Sequence, residues 1–278
     1  MASRRLPWLL MLSVIGVLAA TFVATRSSSA GALGCHLRVS LIARGQGSPD
    51  DLAWEGKRLL VSDIVRGTVG IVERGHVTTL VGHINVPEGI VDLGHRRLVI
   101  VEQNTNRLLL INLKRRLRTA VLRLPLPHGK SGVDNIKVAP GGGIYVPDSA
   151  NGRLFLFHLA GRHLKLLASG MSRPVDAVKW GDGVAVAEEY GNVVSLISGR
   201  QRTQLAQVPL PDDLTVVSHH LLAISLAGAV WEVAPHLRLL SKAFHDPQGM
   251  VTAGQNAVVV ADQSDNAIYR VSGLATCL

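Results

Sequence analysis

Residues 133–157 read VDNIKVAPGGGIYVPDSANGRLFLF, with apolar positions that alternate in short runs and never recur at helical spacing. The polar pair Asp134 and Asn135 opens a first run, Ile136 and Val138, which a glycine turn at 141–143 reverses. A second run, Ile144 to Val146, ends at Asp148. Asn151 and Gly152 then supply the residues a tight reversal needs, and Leu154 to Phe157 form a third run. This pattern predicts three antiparallel strands in one short unit.

The same plan recurs from Pro49, Pro87, Pro174, Pro211 and Pro247, which makes six copies. Between them lie further strand-like stretches, VTTLVG, TAVLRLPL, LKLLASG, TQLAQVPL and LRLLSKAF, so each unit has four strands. The spacing of roughly 35–45 residues is that of one four-stranded blade repeated around an axis. One blade cannot bury its own faces, so the copies must stack into a single all-β, six-bladed β-propeller. Hydrophobic residues make up 47% of the 278 and aromatics only 4%, so the core must be Val, Leu, Ile and Ala, which suits strands.

The sixth copy lacks a full fourth strand, while residues 37–43 (LRVSLIA) have the pattern of one and precede the first copy. The N-terminal strand is therefore expected to complete the last blade. The two cysteines, Cys35 and Cys277, flank the array and read as a disulfide that holds the ring closed. Redox or metal-ligand roles are the alternative, and no CxxC supports them.

Residues 1–34 form a separate segment before the propeller at 35–278. Arg4 and Arg5 precede an apolar run at 6–24, followed by small and polar residues with Ala30-Gly31-Ala32 as a cleavage motif. The segment reads as a secretory signal or as an uncleaved signal-anchor helix, with lipid attachment at Cys35 a third option. In each case the propeller is expected outside the cytoplasm, secreted or membrane-anchored.

Chemistry is concentrated at two repeat positions. The openings of the first strands carry Asp50, Asp51, Glu88, Asp134, Asp176, Asp212, Asp213 and Asp246. The turns into the third strands carry Asp63, Glu102, Asp148, Glu188, Glu189, Asp262 and Asp265. In a propeller both positions share one face, so fifteen of the chain's twenty carboxylates are expected at one mouth of a protein whose net charge is +9. Two readings stand side by side: a binding mouth, or carboxylates that cap backbone amides at recurring turns.

The P-x-[GDN]-[ILM] openings and the acidic-x-x-x-[NG]-x-[VLI] turns resemble those of the NHL-repeat and gluconolactonase/paraoxonase-like six-bladed propellers across the whole chain beyond residue 34. That resemblance implies a divalent ion, possible here as Ca²⁺, held in the channel at Glu88, Asn135, Asp176 and Asp213, since oxygen-only ligands suit calcium. Glu88 opens the second blade, whereas the gluconolactonase-like pattern has its Glu at the first. The histidines placed to reach the mouth as general bases are His128 and His245, in loops leading to blades three and six.

The sequence contains no G-x-S-x-G, HExxH or CxxC, which excludes the common serine hydrolase, zincin and thioredoxin sites. Export, few aromatics and an acidic mouth argue against nucleic acid; the basic remainder fits an anionic membrane surface better. Two functions follow. One is an exported, NHL-like module that binds a small molecule, peptide or protein through its mouth. The other is a calcium-dependent lactonase or esterase.

Overall fold

The computed structural model describes residues 26–27, 35–45 and 47–278; the expected leader lies outside the described residues. Among the described residues no helix is long and apolar enough to cross a membrane. Six antiparallel sheets surround one axis; five have four strands in sequence order from the inside out, and the sixth has five, with N-terminal strands outermost. Blade 1 comprises Pro49–Glu55, Arg58–Asp63, Thr68–Glu73 and His76–Val81. The innermost strands of blades 2 to 6 are Pro87–Asp92, Lys137–Val138, Pro174–Trp180, Pro211–Val217 and Pro247–Thr252.

Blade 6 is closed as the sequence requires. Its outer strand is Arg38–Arg44, paired antiparallel with Ala267–Ser272 so that Arg38 faces Ser272 and Arg44 faces Ala267. A two-residue bridge, Arg26–Ser27, lies on its far side. The Cys35–Cys277 disulfide sits beside this seam and spans 242 residues of sequence.

Six apolar clusters fill the blade interfaces. Blades 2 and 3 meet through Val99, Leu108, Ile136 and Phe157, and blades 5 and 6 through Leu222, Ile224, Met250 and Val258. The side chains are mostly aliphatic, because the alternate faces of every strand are covered by a neighbouring blade and β-branched residues pack well on pleated sheets.

Antiparallel order puts two kinds of connection at one end of each blade, first-to-second and third-to-fourth. The openings of the inner strands and the second-to-third turns lie at the other end, the mouth. Several mouth turns are single 3-10 turns, Gln103–Thr105, Ser149–Asn151 and Glu189–Gly191, which end on left-handed Asn106, Gly152 and Asn192. That conformation suits only Gly and Asn well, which explains the repeated Asn and Gly in the sequence pattern.

Candidate functional site at the mouth of the channel

The openings of the inner strands bulge off their ladders. Pro49, Pro87, Pro174, Pro211 and Pro247 each pair with the last residue of the second strand. The register then shifts before the next pairs, Leu52, Ile90, Asp176, Leu214 and Gly249. Proline lacks the donor needed to continue the ladder, and the bulge turns the one or two residues after it towards the axis.

Across the axis the openings bond to one another. Gly89 N donates to Asp134 O at 3.1 Å and Asn135 N to Val175 O at 3.0 Å. Leu214 N donates to Asp176 Oδ2 at 2.8 Å, and Met250 N donates to Asp213 Oδ2 at 2.8 Å. Blades 2 to 6 are thereby stitched in order. Glycine at 89 and 249 permits this approach: a Cβ would lie 2.5 Å from Ile136 N at the first, and 2.4 Å from Asp50 O at the second.

Seven carboxylates at these openings are buried: Asp50, Asp51, Glu88, Asp134, Asp176, Asp212 and Asp213. Two cations face them. Lys137 Nζ donates to Asp176 Oδ2 at 2.8 Å and also to Asp213 and Leu214 O. Arg173 donates to Asp134 Oδ2 at 2.8 Å and to Glu189, and its guanidinium lies 5.3 Å from the centre of the exposed Tyr190 ring.

The four residues of the expected calcium set are divided by this arrangement. Asn135, Asp176 and Asp213 come together, with Asn135 Nδ2 donating to Asp213 Oδ2 at 3.2 Å, but they surround the Lys137 ammonium. Glu88 instead joins Asp50 and Asp51, whose oxygens all lie within 4.8 Å of one another. Among the described residues none of these three forms an ion pair. Three hard oxygen donors without an ion-pair partner, with Arg173 and Lys137 acting on Asp50 and Asp51 only from beyond contact, fit a divalent ion chemically; the Asn135–Asp176–Asp213 group already holds a positive charge.

Electrostatics do not separate the two groups, since burial also lifts Asp213 well above the usual carboxylate range despite Lys137. Burial pushes the Asp50 carboxyl up to about 7 against a hydrogen bond with Glu88, and the carboxylates of Asp134 and Asp246 add to the rise. Burial, then Asp50 and Asp134, lifts Glu88 well above the usual carboxylate range. Asp51 and Asp212 rise likewise, through burial and then their acidic neighbours. Like charges crowded out of water favour protonation or a bound cation.

The carboxylates of the second-to-third turns mostly serve their own blades. Glu102 accepts from Asn85 N at 3.1 Å and holds Arg107, while Asp148 holds Asn151 and Arg153. Glu188 accepts from Ser172 N at 2.9 Å, and Asp262 accepts from His245 N and Asp246 N. They are caps for the loops leading to each inner strand. Glu189 is the exception, turned to Arg173.

His128 is exposed in the loop before blade 3. His245 is exposed too, with Nδ1 2.7 Å from Asp265 Oδ1. On the mouth face between blades 3 and 4 a cavity of about 450 Å³ is bordered by Lys130, Asn151, Arg173 and Tyr190, with the buried Ser149 Oγ unpartnered in its wall.

Lys137 and Arg173 were not anticipated. Lining up the six openings reveals the first: its register position holds Ala53, Val91, Val178, Thr215 and Val251 in the other blades. A lone lysine among them is a signal. Arg173 immediately precedes an opening proline and has no comparable mark.

No family model matches the sequence, and no curated protein is significantly similar to it. Solved structures do match. A gluconolactonase from Xanthomonas campestris superposes with a TM-score of 0.72 at 17% identity, over 89% of this chain and 94% of its own. The fold is that of the gluconolactonase-like six-bladed propellers. Virginiamycin B lyase from Staphylococcus aureus follows the same path with a TM-score of 0.65 at 14% identity, covering 85% of this chain and 98% of that one. A luciferin-regenerating enzyme gives 0.66 at 16%, over 85% and 95%. At such identities the gluconolactonase-like likeness concerns architecture, and function must be argued from the mouth.

Proposed function

We propose that the protein is an extracytoplasmic, NHL-like propeller that binds a cationic ligand through its acidic mouth. The observation that carries this reading is the imbalance of seven buried carboxylates against Lys137 and Arg173. A cation reaching Asp50, Asp51 and Glu88 gains their attraction in a site sheltered from water, and the cavity beside Arg173 offers room for an organic portion. The disulfide is consistent with an oxidising, extracytoplasmic location.

Calorimetry with calcium and with an organic polyamine tests it. Either is expected to bind wild-type protein, and Asp51→Asn with Glu88→Gln is expected to abolish binding. Absence of heat and of any thermal stabilisation with both classes of cation would overturn the reading.

A second reading, a calcium-dependent lactonase or esterase, is favoured by the convergence of Asp50, Asp51 and Glu88 oxygens within 4.8 Å. These residues would hold the ion, and a bound ion would supply polarisation of an ester or lactone carbonyl. Burial raises the pKa of both Asp50 and Glu88, so ion binding would release the protons they hold. Lactone and aryl-ester hydrolysis with calcium or chelator, in wild type and Asp50→Asn, discriminates this reading from simple binding.

A further inference from the structure

The mouth end of the ring takes up most of the acid in this protein, thirteen of the buried carboxylates lying there and Glu55 and Glu232 elsewhere. Fifteen carboxylates are buried, whereas none of the described lysines or arginines is buried to the same degree. The positive charge therefore lies outside, and it is not spread evenly.

The hairpins at the end opposite the mouth carry Lys57, Arg74, Arg96, the run Lys114-Arg115-Arg116, Arg162 and Arg200, against two exposed acids, Glu73 and Asp182. All of these basic residues except Arg96 are exposed and form no ion pair among the described residues. Other nearby acids are already engaged. Glu55 is held by Arg58 and Arg96, Glu232 by Arg238 and His220, and Asp92 accepts from Gly94 N.

The chain reaches the propeller at this same end. Ser272 closes the third strand of blade 6 at the face opposite the mouth. Arg38 lies beside it, and Cys35 is tied there to Cys277.

We propose that the face opposite the mouth is a docking surface for an anionic phospholipid bilayer. Clustered, unpaired lysine and arginine on one face are drawn to anionic headgroups over a Debye length. Docked this way, the propeller lies flat on the membrane with its axis upright. The carboxylate mouth then opens away from lipids of its own charge. The proposal is independent of what the mouth binds.

The test uses the full chain in vesicles of phosphatidylcholine alone or mixed with phosphatidylglycerol, with lysine acetylation read by peptide mass. Lys57 and Lys114 are expected to lose about fivefold of their labelling in the anionic vesicles and to regain it at about 0.5 M salt, while Lys130 on the mouth side is unchanged. Arg115→Glu with Arg116→Glu is expected to remove the protection. Equal labelling of Lys57 and Lys114 in both lipids, protection of Lys130 in their place, or protection that survives the double charge reversal would each overturn the proposal. So would protection by soluble heparin with none by anionic vesicles, which would assign the face to a soluble polyanion.

Discussion

Lys137 of blade 3 and Asp176 of blade 4 are joined at 2.8 Å across the channel, and the same ammonium reaches Asp213 of blade 5, so one side chain ties three blades at the axis. Burial alone would lower the pKa of this lysine, but Asp176 and Asp213 hold it above the ordinary range. Its raised folded value means that the contribution is fully present at neutral pH and is lost only when alkali deprotonates it. Lys137→Met leaves the carboxylates without their counter-charge and is expected to cost about 3–5 kcal/mol in denaturant unfolding. Adding Asp213→Asn should recover part of the loss; a single variant as stable as wild type would show that the ammonium is dispensable.

Asp50 predicts a loss with rising pH as well, but in a lower window. Its carboxyl has an ordinary value of 3.8 and is pushed up to about 7 in the folded protein, first by burial. Between these values the folded state binds the extra proton, so stability falls as pH rises from about 4 to about 7. Melting temperatures across that range, in chelator, should decline in wild type and decline less in Asp50→Asn. If a cation fills the site, its stabilising effect should grow over the same interval, with protons released on binding.

Gly249 tests the close approach of blades 6 and 1. A methyl group there would lie 2.4 Å from Asp50 O and 2.8 Å from Asp51 Cα, and rigid backbone cannot yield as a flexible side chain does. Gly249→Ala should therefore destabilise by about 1–3 kcal/mol and weaken ligand binding by displacing Asp50 and Asp51. Gly254→Ala makes a useful comparison, because no atom lies within 4 Å of its added methyl group, although its positive φ of 82° carries its own strain.

The Cys35–Cys277 bond closes a very long loop, and the chain-entropy model assigns such a link up to about 5 kcal/mol. Cys277→Ser should lower the melting temperature in oxidising buffer and converge with wild type under reductant. Free thiols in native oxidised protein, measured by alkylation, would contradict this.

The architecture was legible because the repeat is written in backbone terms: proline at five of the six openings, alternating strands, and Asn or Gly where a left-handed residue ends a mouth turn. The closing strand was legible too, since residues 37–43 supply what the sixth copy lacks. Side-chain roles were harder. Asp63, Glu102, Asp148 and Asp262 have the same local sequence whether they cap amides or face a ligand, and the difference lies in where their oxygens turn. Glu88 and Asp213 occupy neighbouring positions of one repeat pattern yet belong to different clusters, because the Lys137 side chain from a third blade decides which carboxylates are neutralised. Such three-blade relationships have no signature at fixed sequence separation.

The strand Arg38–Arg44 also sets an order of events during synthesis. It is the first part of the propeller to emerge and the last to find its place, because its partner, Ala267–Ser272, is made only after the other five blades. Until then an unpaired edge stands open at both ends of a growing arc of blades. Completion of the ring therefore waits for blade 6, and any chain cut short before it carries two exposed edges available to other chains.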